Sequence, residues 1–315
     1  MRVLKFGGTS LANAERLQAA ARIVVGHRAQ GSVAVVVSAM AGITDALLKV
    51  AHHAETTHSV DFAMLERIAQ RHRTAYQAVL GEVPAAFEQQ WQALRHDASE
   101  LLQPSVDGSL HAEVFSGWGE RLMAPLFALA LNQIGITATA FQDAPVVLES
   151  GAEAASSPTA SLLATRAWLV PQLAAWLTQR VTLVLPGYVA RDAAGQPATL
   201  GRNGSDYSAA MIAAVLGAEA LYIYSDVAGV YSADPHLDAT AVLLSSLTYA
   251  EAAAIAAQGA KVLHPRTIGP LAQAAIPLLL RSTLAPDQPG TIIAGEAMLA
   301  LAKHHALPFA AIWSL

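Results

Sequence analysis

The chain has 315 residues, of which 54% are hydrophobic and 14% charged, with a formal net charge of −5 and no cysteine. This length suits one large α/β domain or two smaller ones. The lack of cysteine excludes disulfides and thiolate metal sites, and a slightly acidic chain without a basic stripe argues against a nucleic-acid partner. No apolar run reaches the roughly 18 residues of a membrane span, and no signal-peptide pattern precedes the first strand, so we expect a cytoplasmic protein.

The first 55 residues predict two strand–loop–helix units. Residues 2–6 read as a strand, 7–10 as a tight loop, and Asn13 begins an amphipathic helix. The valine-rich run 33–37 is typical of a buried parallel strand, and a loop of small residues over 38–44 precedes a helix near 45–53. Parallel sheets collect such loops at the carboxyl ends of their strands, where they bind ligands.

Residues 60–135 carry little strand signal and predict helices over 62–80, 85–102 and 113–132. The third contains Gly117 and Gly119, and glycine is costly inside a helix. Either a neighbour packs very close there, or the backbone approaches a ligand. Glu120 follows in an otherwise apolar stretch, and its local sequence fits an exposed face and a ligand contact equally well.

The remaining elements alternate between strands and helices. We predict strands over 136–141, 146–148, 181–185, 220–224, 277–280 and 291–293, and a hairpin tip over 190–197 with Gly195 at its turn. Helices are expected over 161–179, after 206, over 248–258 and from about 265 to 274. Thr248 and Glu251 form a capping box for the third of these. Residues 296–305 read as a final helix and 307–315 as a strand.

The loop over residues 201–206 has the sequence Gly-Arg-Asn-Gly-Ser-Asp and opens an apolar helix. Free N–H groups and the helix dipole at such a position attract anions, and Arg202 adds a bidentate fork for carboxylate or phosphate. Asp206 could hold a metal ion or orient a cation. The alternative is a simple capped turn with Ser205 or Asp206 as the N-cap.

Five small polar loops follow strand ends, at residues 5–10, 38–44, 186–188, 201–206 and 225–231. No Ser-His-Asp arrangement suggests acyl transfer, and neither the dinucleotide-binding glycine pattern nor a P-loop is present. The eleven histidines are scattered, and we assign no metal ligand among them. Glycine N–H groups, two lysines, an arginine and two aspartates remain, which is the set that phosphoryl transfer needs.

Six segments, in order, resemble the motif set of the aspartate kinases, which belong to the amino acid kinase superfamily. The resemblance covers roughly residues 1–295 and is closest to the kinase half of the bifunctional aspartate kinase–homoserine dehydrogenases. The segments are Lys5–Ser10, Ser38–Thr44, Ser116–Glu120, Gly201–Asp206, Ser225–Tyr231 and Gly259–Pro265.

The resemblance implies a three-layer α/β/α sandwich, with a mostly parallel central sheet and a helical insertion. It implies a catalytic domain over 1–295, with an amino-acid lobe over about 1–200 and a nucleotide lobe over about 201–295, followed by a helix and strand over 296–315. The implied activity is transfer of the ATP γ-phosphate, with Mg²⁺, to the side-chain carboxylate of L-aspartate, giving 4-phospho-L-aspartate. A homodimer is also expected.

The resemblance also implies roles for individual residues. Lys5 would stabilise the transferring phosphate, and Asp206 would orient Lys5 and the metal shell. Glu120 would take the substrate ammonium and Arg202 its α-carboxylate, while Ser38, Thr44 and Ser205 complete the amino-acid site. The residues expected to contact ATP are Lys5, Gly7 and Gly8, the two glycines through their N–H groups, and Ser225, Asp226, Tyr231, His236 and Lys261.

Two departures from the family pattern have consequences. His236 stands where the family usually has arginine, so nucleotide affinity should be weaker or pH-dependent, and His236→Arg should lower the KM for ATP. Aspartate kinases normally continue into two regulatory modules that bind lysine or threonine, whereas this sequence stops at Leu315. We therefore expect no feedback inhibition by either amino acid. The strand over 307–315 should pack on its own domain or pair across a homodimer.

Two alternatives stay open. The first is a kinase of the same fold that acts on another amino acid or small carboxylate in a specialised pathway. The second is a non-catalytic sensor of amino acid or nucleotide, against which the retention of Lys5 argues, since binding alone needs no lysine at the point of transfer.

Overall fold

The computed structural model describes residues 1–103, 108–151, 158–233, 237–238, 240–259 and 263–305. The strands are β1 (Arg2–Phe6), β2 (Val33–Val37), β3 (Ala138–Ala140), β4 (Val146–Val147), β5 (Thr182–Pro186), β6 (Val189–Arg191), β7 (Pro197–Thr199), β8 (Ala220–Ser225), β9 (Ser246–Thr248), β10 (Leu278–Ser282) and β11 (Thr291–Ala294). The helices are α1 (Ala14–Arg28), α2 (Ile43–Thr57), α3 (Phe62–Leu80), α4 (Ala85–Glu100), α5 (Gly108–Ser116), α6 (Trp118–Gln133), α7 (Leu162–Thr178), α8 (Gly204–Leu216), α9 (Tyr249–Ala257), α10 (Pro265–Gln273) and α11 (Glu296–His305).

The central sheet has eight strands in the order β3-β5-β2-β1-β8-β10-β11-β9. Its pairs are parallel except for β10 and β11, which run antiparallel. In β1, Lys5 lies between Val36 of β2 and Ile223 of β8, so its backbone is hydrogen-bonded in the middle of the sheet. A smaller sheet of three strands, β4-β6-β7, contains the predicted hairpin.

Helices cover both faces of the central sheet. Phe6 and Tyr224 point into a core shared with α1, α2, α3, α4 and α6. Val3 lies three positions from Phe6 and Ile223 one position from Tyr224, and both point into a second core shared with α7, α8, α9 and α10. Successive side chains of each strand thus pack alternately against the two helical layers, as the period of two in a strand requires. The three-layer sandwich with a mostly parallel sheet is confirmed.

The helical insertion runs from α2 to α6, and one predicted helix within it is wrong. Residues 113–132 were expected to form a single helix, but the chain breaks at Gly117 between α5 and α6. A Cβ on Gly117 would lie 2.7 Å from Cγ1 of Val189, and one on Gly119 would lie 2.5 Å from Cβ of Ala39. Both glycines therefore permit close packing against other elements.

Two further predictions need correction. Helix α8 begins at Gly204 with Asn203 as its N-cap, not with Ser205 or Asp206. Strand β9, at the edge of the central sheet, has no counterpart in the predicted elements. The capping box of Thr248 and Glu251 at α9 is confirmed. The strand predicted over 307–315 lies outside the described residues, and no described helix combines the length and hydrophobicity needed to cross a membrane.

Candidate active site

The carboxyl ends of β1, β2 and β5 open into a cavity of about 590 Å³. Lys5, Gly8, residues of the 38–44 loop and the 201–206 loop line it. Glu120 reaches it from α6. The predicted site residues that line this cavity together are Lys5, Gly8, Ser38, Thr44, Glu120, Arg202, Ser205 and Asp206.

A short ion pair joins the two residues predicted to be catalytic. The Nζ atom of Lys5 lies 2.6 Å from Oδ1 of Asp206, and their side chains are 9% and 20% exposed. Lys5 is the penultimate residue of β1, while Asp206 lies in the first turn of α8. Because the pair is largely shielded from water, its charges act on a neighbouring anion more strongly than surface charges would. The ammonium also remains within reach of the cavity.

Glu120 is a buried carboxylate with one unsatisfied oxygen. It lies in the first turn of α6 and is 3% exposed. Its Oε1 accepts a hydrogen bond of 3.4 Å from the hydroxyl of Ser205, whereas Oε2 has no partner among the described residues. Burial raises its pKa to about 7, although hydrogen bonds from the Ala39 backbone and Ser205 act in the opposite direction. Such an oxygen is a ready partner for a ligand cation.

Close packing places Glu120 against the loop that it faces. Because Gly119 lacks a side chain, α6 approaches Ala39 of the 38–44 loop within van der Waals distance. On the other side, a Cβ at Gly187 would lie 2.8 Å from Cβ of Ser205, so this glycine lets β5 approach the start of α8. The glycines thus bring three elements around one carboxylate.

The 201–206 loop presents Arg202 on an unusual backbone. Gly201 and Asn203, on either side of it, have φ angles of +67° and +57°. The N–H of Gly204 donates to the carbonyl of Gly201 at 2.9 Å, so this amide is used inside the turn. Arg202 is exposed at the cavity and has no carboxylate partner within the described residues. A guanidinium in this position fits a ligand carboxylate.

The phosphate contact predicted for the Gly7 N–H does not fit the structure. This N–H donates to the carbonyl of Tyr224 at 2.9 Å, which extends the pairing of β1 and β8 beyond the sheet. Gly8, at the start of a short 3₁₀ helix, lines the cavity instead.

Three other residues predicted to bind nucleotide, Ser225, Asp226 and Tyr231, lie one strand away from the cavity. Ser225 ends β8, and its hydroxyl accepts from the N–H of Val227 at 3.3 Å. Asp226 is exposed, and Tyr231 is half-buried in a bridge to Leu243. These residues follow the strand next to Lys5 but do not line the cavity. His236 and Lys261 lie outside the described residues.

The cavity also contains residues that the sequence did not single out. Tyr188 is buried with a φ of +64°, and its hydroxyl lies 3.1 Å from Oγ of Ser116. Glu113 accepts a hydrogen bond of 3.1 Å from Thr199. Asp45, near the start of α2, also lines the cavity. The only signal for Tyr188 is its place after a buried strand and a Pro-Gly pair.

The described residues contain no group of three His, Asp or Glu side chains placed to hold a metal ion. Magnesium is usually held by one or two carboxylates together with substrate phosphates and water. Asp206 fits such a shared role, since it is a carboxylate on the wall of the cavity beside Lys5.

Comparison with known families identifies the class of protein to which this fold and cavity belong. The sequence pattern of the amino acid kinase family matches residues 1–282, so the chain belongs to this family. Within it, the chain is similar to aspartokinases. It is 35% identical over 304 residues to the bifunctional aspartokinase/homoserine dehydrogenase of Haemophilus influenzae, a match that covers 94% of this chain and 37% of the relative.

A second relative is the lysine-sensitive aspartokinase 3 of Escherichia coli, which is 31% identical over 303 residues, with 93% of this chain and 64% of the relative covered. The crystal structure of E. coli aspartokinase III in complex with aspartate and ADP matches with a TM-score of 0.83 at 27% identity, covering 94% of this chain and 64% of that one. The chain spans about a third of the length of the bifunctional relatives. The resemblance expected from the six sequence motifs is confirmed.

Proposed function

We propose that this chain transfers the γ-phosphate of ATP to the side-chain carboxylate of L-aspartate, giving 4-phospho-L-aspartate and ADP. The observation that carries the proposal is the buried Glu120 carboxylate, whose unsatisfied oxygen shares one cavity with Arg202 and the Lys5–Asp206 pair. The similarity to an aspartokinase solved with aspartate and ADP supports the same substrates.

The cavity offers one partner for each charge of an amino-acid zwitterion. The Oε2 atom of Glu120 would accept from the substrate ammonium, and Arg202 would bind the α-carboxylate through its fork. Ser38, Thr44 and Ser205 add hydroxyl groups on the same walls. The side-chain carboxylate of the acceptor would then point towards Lys5, which neutralises charge at the site of transfer.

The transfer itself needs positioning more than proton chemistry. The acceptor carboxylate is ionised at neutral pH, so its oxygen attacks the γ-phosphorus without a general base while the bond to the β,γ-bridging oxygen breaks. Lys5 would stabilise the charge on the transferring group, and Asp206 holds the lysine ammonium in place.

ATP would bind at the carboxyl end of β8, with Gly8 and Lys5 near its phosphates and Ser225, Asp226 and Tyr231 around the remainder. Contacts from His236 and Lys261 and the division into lobes over about 1–200 and 201–295 stay predictions. Mg²⁺ bound with the nucleotide would neutralise phosphate charge, and Asp206 is the carboxylate that would share in holding it.

A hydroxamate assay with ATP and Mg²⁺ across a panel of amino acids tests the proposal. Hydroxylamine traps an acyl phosphate, so product formation with aspartate and not with glutamate or asparagine is expected. Lys5→Ala should abolish the signal, whereas a substitution outside the cavity, such as Gly26→Ala, should leave it unchanged. More product with another amino acid than with aspartate would show that the acceptor is that amino acid. Nucleotide binding without any product would favour the non-catalytic sensor.

The same assay tests two finer predictions about the protein. Added lysine or threonine should leave the rate of this 315-residue chain unchanged. Removal of Mg²⁺ with a chelator should stop product formation. Sedimentation of the purified chain tests the expected homodimer, and localisation in the cytoplasm stays a prediction.

A further inference from the structure

Arg266 connects α10 to the loop that presents Arg202. It is the second residue of α10, and its guanidinium donates from Nη1 to the carbonyls of Pro158 at 3.0 Å and Leu200 at 2.9 Å. Its Nη2 donates to the carbonyl of Arg202 itself at 2.8 Å. One side chain thus binds the backbone on both sides of Gly201.

The ring of Tyr207 fixes the direction of this guanidinium. The Cζ atom of Arg266 lies 5.1 Å from the centre of the ring. Tyr207 is buried in α8, and its hydroxyl accepts from the N–H of Ala160 at 3.1 Å. In the described part of the chain, the guanidinium is hydrogen-bonded to carbonyl oxygens alone and forms no ion pair with a carboxylate. Its hydrogen bonds therefore stabilise the backbone of the loop.

The loop has two residues in the left-handed region. Asn203 has a φ of +57°, which asparagine adopts more readily than most residues but which is still less common than the right-handed conformation. Gly201 also has a left-handed φ, of +67°. Since the two lie on either side of Arg202, a small relaxation at either residue would swing the Arg202 side chain away from the cavity.

We propose that Arg266 is a positioning residue that sets the direction of Arg202 and thereby the affinity for the acceptor's α-carboxylate. This inference rests on the proposed function for the role of Arg202, but the hold of Arg266 on the loop does not. A planar fork is needed, because lysine cannot reach three carbonyls in fixed directions.

The test compares Arg266→Lys and Arg266→Gln with a matched control, Arg281→Gln. Arg281 is half-buried, stacks on Tyr222 at 5.7 Å and, like Arg266, has a buried Nε without a partner among the described residues, but it does not line the cavity. Both Arg266 variants should raise the KM for the amino acid by about ten- to a hundredfold, with the KM for ATP and kcat within about threefold. The control should lower stability and leave both KM values unchanged.

Hydrogen exchange of the unliganded protein provides a readout that does not depend on kinase activity. The amides of Gly204 and Asp206, which donate to the carbonyls of Gly201 and Asn203, should exchange faster in Arg266→Gln than in Arg281→Gln. Unchanged exchange overturns the inference, whether or not the wild type is a kinase. Faster exchange with an unchanged amino-acid KM also overturns it, and equal increases in both KM values would show a general structural role. A wild type that phosphorylates no amino acid refutes the proposed function, and the exchange result then decides the inference.

Discussion

Replacing Glu120 by glutamine should stabilise the unliganded protein at neutral and alkaline pH. The carboxyl is buried, and its pKa rises from 4.5 to about 7 because burial disfavours the charged form. The folded state therefore holds a proton that the unfolded chain loses near its ordinary pKa. Stability is lost as the pH rises from about 4.5 through about 7, and a shift of this size corresponds to about 3 kcal/mol.

Glutamine has the same shape and cannot ionise, so it should remove this loss. The difference in free energy of unfolding between Glu120→Gln and wild type should therefore increase, in favour of the variant, by up to about 3 kcal/mol from pH 4.5 to pH 8. Urea unfolding of both proteins at a series of pH values measures the difference. Glu113→Gln is the control, because Glu113 lies on the same cavity but is only half-buried. The same pH dependence in Glu120→Gln and wild type would refute the argument from burial.

The same substitution should weaken binding of the amino acid. Only the ionised carboxylate can pair with an ammonium, and with a pKa of about 7 the competent fraction falls at acidic pH. The wild-type KM for the amino acid should therefore fall about tenfold between pH 6 and pH 8. Glu120→Gln should have a high KM without this pH dependence. A stabilised variant with an unchanged KM would show that Glu120 is not the ammonium partner.

Two further perturbations separate other roles in the site. Arg202→Ala should mainly raise the KM for the amino acid by at least about tenfold, because it removes a charge-assisted fork. Asp206→Ala should mainly lower kcat. Steady-state kinetics measure both constants, and similar changes of KM and kcat in the two variants would show that the roles are wrongly divided. Gly119→Ala would place a methyl 2.5 Å from Cβ of Ala39, so we expect a loss of about 1–3 kcal/mol in thermal or urea unfolding and a raised amino-acid KM. Gly26→Ala, with nothing within 4 Å, should instead be neutral or stabilising, and equal losses in both would refute the packing argument.

Most of the fold could be predicted because the local patterns agree with the final structure. The valine-rich run at 33–37 and the amphipathic repeat of α3 are patterns within short stretches of sequence. The predicted bounds of both elements match the observed ones. Strand β9 has three residues, one apolar between two polar, which is too short a pattern to distinguish from a loop. It is a strand only because β11 lies beside it.

The site was harder to predict, because its geometry comes from contacts between residues far apart in the chain. The sequence placed Glu120 equally well on an exposed face or in a site, and contacts from Ala39 and Ser205, both distant in the chain, surround it in the structure. The carbonyl that occupies the Gly7 N–H belongs to β8, more than 200 residues away. The three carbonyls bound by Arg266 likewise come from two segments far from it in the chain, Pro158 and the loop at 200–202, and no local spacing indicates them.

Glu120, the proposed partner of the acceptor ammonium, comes from a different element than Lys5 and Asp206, the proposed residues of phosphate transfer. Lys5 and Asp206 belong to β1 and α8, whereas Glu120 belongs to α6, in the helical segment between β2 and β3 that also packs on the central sheet. Substitutions around Glu120 on α6 would therefore, under the proposed function, alter the choice of acceptor while the Lys5–Asp206 pair stays in place. Under the proposed function, the insertion is the natural place to begin a library for new acceptors, with the Lys5–Asp206 pair held constant.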